Sequence, residues 1–167
     1  MGNLLLVADT RSDDSAGAIG STGSYRLRLC RRSDLDALGK LYFEAYDPGI
    51  AAATVDEAVA DMHATFAGEY GELWMEASPV AVDHDGRIVG AVQTVHRAPW
   101  NDVPDCPFVI ELFTARDQRR RGIARALLSA AIAKSTGAGC RQIALRVEAD
   151  NAAALALYTG LGFHTAA

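Results

Sequence analysis

An apolar stretch, Phe108 to Thr114, runs within a few residues into Gln118, Arg119, Arg120, Arg121, Gly122, Ile123, Ala124 and Arg125. From there Ile123, Leu127, Leu128, Ala131 and Ile132 recur at helical spacing. A strand, a tight basic turn and a helix N-terminus therefore follow one another directly. Helix starts carry unpaired N–H groups and the positive end of the helix dipole, so they bind anions. Gly122 lets a ligand approach the backbone, and Ala124 intrudes by one methyl only. The chain is acidic, net −5, yet five of its sixteen Lys and Arg residues lie between Arg116 and Arg125. A positive spot on an acidic protein suggests a phosphate-bearing ligand and argues against general nucleic-acid affinity. The plainer alternative is a solvated basic helix start.

At 167 residues, half of them apolar, the chain suits one domain with a real core. Its apolar runs fall far short of the ~20 residues a membrane helix needs. Leu4 to Val7 are too few for a signal-peptide core and have no basic residue before them. Leu6 stands where a myristoylation motif wants Ser or Thr. Cys30, Cys106 and Cys140 are odd in number and widely spaced, and the four His residues form no ligand grouping. A disulfide framework or a metal site is not expected, and a reducing cytoplasm fits best.

Asp9 to Ser24 is rich in Ser, Gly, Asp and Ala without apolar period, so residues 1–24 read as a disordered tail and 25–167 as one domain. Tyr25, Leu27 and Leu29 alternate as a strand. Ser33 or Asp34 then caps a helix with the stripe Leu35, Leu38, Leu41, Tyr42 and Ala45, and Thr54 caps a second. Pro79 to Asp83 and Ile88 to Val95 form a hairpin about Asp83–Gly86. A proline-rich loop, His96 to Pro107, leads to the central strand Phe108 to Thr114. After the helix from Ile123 come a strand with Ile143, Leu145 and Val147 and a final helix, Ala152 to Leu161. The order is βααβββαβα, a mixed α/β sheet with flanking helices.

A second segment, Asn151, Ala154, Leu157, Tyr158, Leu161, Gly162 and Phe163, spells N-x-x-A-x-x-L-Y-x-x-L-G-F. Together with the basic turn it resembles the GCN5-related N-acetyltransferases, the GNAT family. Their Q/R-x-x-G-x-G/A signature holds the pyrophosphate of acetyl-CoA, and Arg119, Gly122 and Ala124 occupy its defined positions. The close match covers about Phe108 to Phe163. The resemblance implies a GNAT-like acyl-CoA N-acyltransferase fold, acetyl-CoA as co-substrate and direct acetyl transfer to an amine. Family members continue past this point with a further strand or two, whereas only His164 to Ala167 follow Phe163 here. That leaves three readings: the last strand is missing, a partner subunit supplies it in a homodimer, or another segment closes the sheet edge.

The resemblance also assigns roles. Backbone N–H groups from Arg119, Arg120, Arg121, Gly122, Ile123, Ala124 and Arg125 carry the pyrophosphate, with the arginine side chains adding charge. Leu112, Phe113 and Thr114 offer backbone hydrogen bonds to the pantetheine arm. Tyr158 matches the family tyrosine that can protonate the leaving sulfur, although a helix tyrosine also serves packing alone. Asn151 caps the last helix and in the family also contacts the cofactor. In the subset acting on protein N-termini a strand glutamate sits five residues before that asparagine. Here the position holds Arg146, which cannot act as a base. Glu111 is the leading candidate base, with a structural carboxylate, a water relay or His96 as alternatives. Tyr42, Tyr46 and Trp100 are candidates for the acceptor site. The acceptor expected is a small-molecule amine or a peptide N-terminus, with no nucleic acid or membrane partner. A catalytically idle acyl-CoA-binding sensor or interaction module is the alternative function.

Overall fold

The strands expected around the hairpin and the basic turn form in a computed structural model, which describes residues 2–10 and 23–167. The elements are β1 (Asn3–Asp9), β2 (Tyr25–Leu29), α1 (Leu35–Ala45), α2 (Val55–Phe66), β3 (Pro79–Asp83), β4 (Ile88–Val95), β5 (Phe108–Thr114), α3 (Ile123–Gly137), β6 (Gln142–Glu148), α4 (Ala152–Gly160) and β7 (His164–Thr165). They build a seven-stranded sheet in the order β2-β3-β4-β5-β6-β1-β7. Every pair is antiparallel except β5 with β6.

Side-chain alternation on β4 sorts the helices between the two faces. Gln93 points to Met62 of α2, whereas a Cβ on Gly90 would strike Ile123 of α3. Thus α1 and α2 cover one face and α3 the other, which is why every residue of β4 is buried. The predicted stripe of α1 is buried throughout. Gly39 lies on its inner side, where an added Cβ would come within 2.5 Å of the Val59 backbone, so a larger residue would force α1 and α2 apart. Thr54 caps α2 as expected, accepting from the Glu57 N–H at 3.1 Å. Asp34 does not cap α1 with its side chain. It turns back instead to a two-pronged pair with Arg28, at 2.8 and 2.9 Å. That guanidinium holds its carboxyl below the usual carboxylate range.

The largest correction concerns the N-terminus. Residues 3–9, assigned above to a disordered tail, form β1 and pair with β6 along their whole length, from Asn3 opposite Glu148 to Asp9 opposite Gln142. Leu6, Val7 and Ala8 become buried. A four-residue apolar run without turn signals is ambiguous by itself. What makes it a strand is the unpaired edge of β6, more than 130 positions away in sequence. The rest of the supposed tail, 11–22, lies outside the described residues. β1 also settles how the edge after Phe163 is closed. The third of the three readings applies, because β1 stands between β6 and the short β7. Among the described residues no helix is long and apolar enough to cross a membrane.

Candidate active site

β5 and β6 are paired only at Phe108–Ala144 and Val109–Leu145. Beyond Val109 the two strands have no further pairing, which leaves the β6-side edge of β5 free of a partner strand up to Thr114. Unpaired strand groups need partners, so this edge is suited to an extended ligand. A cleft of 450 Å³ opens there, lined by Leu112, Phe113 and Thr114 on one side and by Ala154, Leu157 and Tyr158 of α4 on another.

The basic turn also lines this cleft, through Gln118, Arg119, Arg120 and Gly122. A single 3₁₀ turn, Arg116–Gln118, leads to Arg120 at φ 63° and Gly122 at φ 78°, ψ 10°. Gly122 is the N-cap of α3, so the N–H groups of Ile123, Ala124 and Arg125 stand at the open helix end. The nearest atom to a Cβ added at Gly122 would be the Tyr25 hydroxyl, 4.0 Å away. That hydroxyl donates to the Gly122 carbonyl at 3.3 Å and fixes the turn from β2. An uncovered helix start, a backbone free of side chain and an apolar flank fit a pyrophosphate with a pantetheine arm.

The arginines divide by role. Arg116 pairs with Asp47 at 2.7 Å and donates to the Glu44 carbonyl at 2.9 Å. Arg119 donates to the Ala45 carbonyl, and Arg125 to the Gly160 carbonyl at 3.4 Å, so both tie elements across the cleft. Arg120 and Arg121 are exposed and make no ion pair among the described residues. Arg121 and Asn151 stand outside the cleft lining. Asn151 caps α4, accepting from the Ala154 N–H at 3.1 Å.

Tyr158 lies against Phe163 with ring centroids 5.9 Å apart, and its hydroxyl has no hydrogen-bond partner among the described residues. Burial, and then the Glu111 carboxylate, push its pKa up, so it stays protonated and able to donate. Glu111 faces α1. Tyr42 donates to its Oε1 at 3.3 Å and Tyr46 to its Oε2 at 3.1 Å. Burial raises the Glu111 pKa to about 7, an effect that the two hydroxyls oppose and Asp61 reinforces. Glu111 itself is not a lining residue of the cleft; Tyr46 is, and its hydroxyl links the cleft to the carboxylate.

The other candidates fall elsewhere. His96 stacks on Trp74, with centroids 4.8 Å apart. Arg146 pairs with Asp102 and lies over the Trp100 ring at 5.4 Å, fastening the loop between β4 and β5 onto β6. The three cysteines are free, and burial pushes the Cys106 thiol up to about 11. Sequence reasoning missed that Tyr42 and Tyr46 both hold Glu111. Their i, i+4 spacing on the predicted helix carried the signal, but nothing local named their partner. Among the described residues no group of His, Cys, Asp and Glu could hold a metal ion.

The raised Glu111 pKa has a stability consequence. Between about 4.5 and about 7 the folded chain keeps a proton that the unfolded chain has lost, so stability falls as pH rises through that window. Above it, Glu111→Gln is expected to stabilise the fold by roughly 1–3 kcal/mol. Thermal melts at about pH 8 and about pH 5 check this, the gain being confined to the higher pH.

Comparison with known proteins follows the same outline. The model of the Acetyltransferase (GNAT) family matches residues 37–163. The chain is 37% identical over 93 residues to N-alpha-acetyltransferase 30 of Schizosaccharomyces pombe, covering 54% of this chain and 59% of that protein. It is 33% identical over 165 residues to mycothiol acetyltransferase of Amycolatopsis mediterranei, covering 96% of this chain and 52% of the relative. Among solved structures, the ribosomal-protein-S18-alanine N-acetyltransferase of Escherichia coli matches with a TM-score of 0.64 at 26% identity, over 86% of this chain and 79% of the other. The chain thus spans between half and three fifths of the length of these two curated relatives.

Proposed function

This chain belongs to the GNAT family of acetyltransferases, and on that footing we propose that it transfers an acetyl group from acetyl-CoA directly to a primary amine. The observation that carries the reading is the cleft beside β5 and α4, whose lining brings the open helix start at Gly122 together with Tyr158 and Tyr46. Acetyl-CoA supplies an activated thioester. The helix N-terminus at Gly122 binds its pyrophosphate, and the free edge of β5 aligns the pantetheine. Glu111 accepts the proton of the incoming amine directly or through one water, and Tyr158 donates a proton to the departing sulfur. Holding two reactants in register supplies most of the rate, since oriented pairs reach effective molarities of ~10⁵ M or more.

The acceptor is a small-molecule amine or a peptide N-terminus. Relatives named for α-amino and S18-alanine acetylation support the peptide, and the mycothiol relative supports a small molecule. Arg146, held by Asp102, stands where a glutamate would favour the peptide. A cytoplasmic setting is in keeping with three free cysteines.

The test is a CoA-release assay on a panel of amines and peptides. At least one acceptor should release CoA, with kcat/KM rising through a midpoint of about 7 as Glu111 ionises. That limb should vanish in Glu111→Gln. Binding of acetyl-CoA without turnover on any acceptor would replace this reading with that of a cofactor sensor. Tyr158→Phe keeps the ring against Phe163, so melting temperature should hold while kcat falls ~10²-fold.

A further inference from the structure

Several elements converge on the Glu111 carboxyl. From α1 comes the hydroxyl of Tyr42 and from the residue just after it that of Tyr46, one on each oxygen. Asp61 of α2, whose carboxylate accepts from the Tyr70 hydroxyl at 2.6 Å, lies within electrostatic reach, as does Tyr158 of α4. Neutral Gln93 stands opposite on β4. None of these groups is a cation. An ionised, half-buried carboxylate is costly without a counter-ion, and donated hydrogen bonds are what favour its charged form here.

The two tyrosines are built for this. They sit one helical turn apart, their rings meet edge to face at 5.4 Å, and Tyr42 packs on Phe113 at 5.4 Å. Locked rings hold their hydroxyls in place at little further cost in entropy. We propose that Tyr42 and Tyr46 are positioning residues for Glu111, each gripping one oxygen so that the charged carboxylate is favoured and aimed when the amine arrives. The inference rests on the reading of Glu111 as the base. Tyr42 is buried and keeps its grip on Oε1. Tyr46 is half-buried and faces the cleft, so an incoming N–H reaches Oε2 by displacing its hydroxyl.

Tyr42→Phe and Tyr46→Phe keep the rings and remove only the hydroxyls. A carboxyl carbon NMR titration of Glu111 in the full chain should show its midpoint, about 7 in the parent, rising by about one unit in each variant and further in the double variant. The ascending limb of kcat/KM should move with it. Activity near pH 7 then falls about fivefold, while the plateau at higher pH returns toward that of the parent. An unmoved Glu111 midpoint, with the limb still lost in Glu111→Gln, overturns the proposal and leaves the base reading standing. Full activity of Glu111→Gln at every pH overturns the base reading, and the proposal falls with it. A uniform loss at all pH values with a lowered melting temperature means that the tyrosines only pack, which also overturns it. Should Tyr42→Phe fail to fold, Tyr46→Phe at the more exposed position carries the test alone.

Discussion

Deleting residues 1–10 is expected to abolish the folded state. The segment contributes β1, whose Leu6, Val7 and Ala8 are 4%, 6% and 2% exposed. Burying a Leu or Val side chain is worth about 1.5–3 kcal/mol. The deletion also strips β6 of its antiparallel neighbour from Gln142 to Glu148, and removes the strand that β7 pairs with among the described residues. The summed loss reaches several kcal/mol, a large share of the ~5–15 kcal/mol that holds a typical domain. β6 also pairs with β5 at Phe108 and Val109, just before the free edge that lines the cleft, so cofactor binding should fail together with the fold. Circular-dichroism melts and limited proteolysis of the shortened chain check this. Val7→Asp is a milder version, since it places an unpaired carboxylate at a buried position opposite Ala144. A melting temperature within a few degrees of the parent for both variants would mean that β1 is dispensable.

Gly122→Val should abolish acetyl-CoA binding, with a loss in affinity of at least ~10²-fold. The carbonyl pinned by Tyr25 and the left-handed backbone at φ 78° both belong to the turn that opens α3. A β-branched residue there adds strain of about 1–2 kcal/mol. Its side chain would also extend from a position where a Cβ meets nothing closer than 4.0 Å, into the space that a pyrophosphate needs. The two effects are separable. Asparagine tolerates the left-handed region, so Gly122→Asn should keep most of the stability and still obstruct the helix start. Calorimetric titration with acetyl-CoA beside a thermal melt reads both. Parent-like affinity in Gly122→Asn would remove the turn from the cofactor site.

Much of the fold was legible in the sequence because the controlling interactions are short in range. Thr54 and Asn151 cap the helices that follow them, three residues from the N–H groups they accept. The stripe from Leu35 to Ala45 needed only helical periodicity, and the hairpin about Asp83–Gly86 only its turn residues. The cofactor end of the site was equally readable, since strand, turn and helix start lie within one short segment from Phe108 to Arg125.

The rest was set by residues far apart in the chain. Glu111 could be picked out from its place on the central strand, but its ionisation depends on Tyr46, 65 positions earlier, and on Tyr42, 69 positions earlier. Arg119 looked like a phosphate ligand by its motif, yet its guanidinium reaches the carbonyl that ends α1. Arg146 gave no local sign that it fastens a loop through Asp102 and Trp100. β1 is the clearest case. By itself the sequence determined an apolar run at Leu4–Val7 with no fixed fate, and tertiary structure made it a strand by presenting the unpaired edge of β6. Caps, turns and periodicity act through neighbours along the chain. Edge pairing and the burial of a charge act through neighbours in space, which the chain acquires only once it has folded.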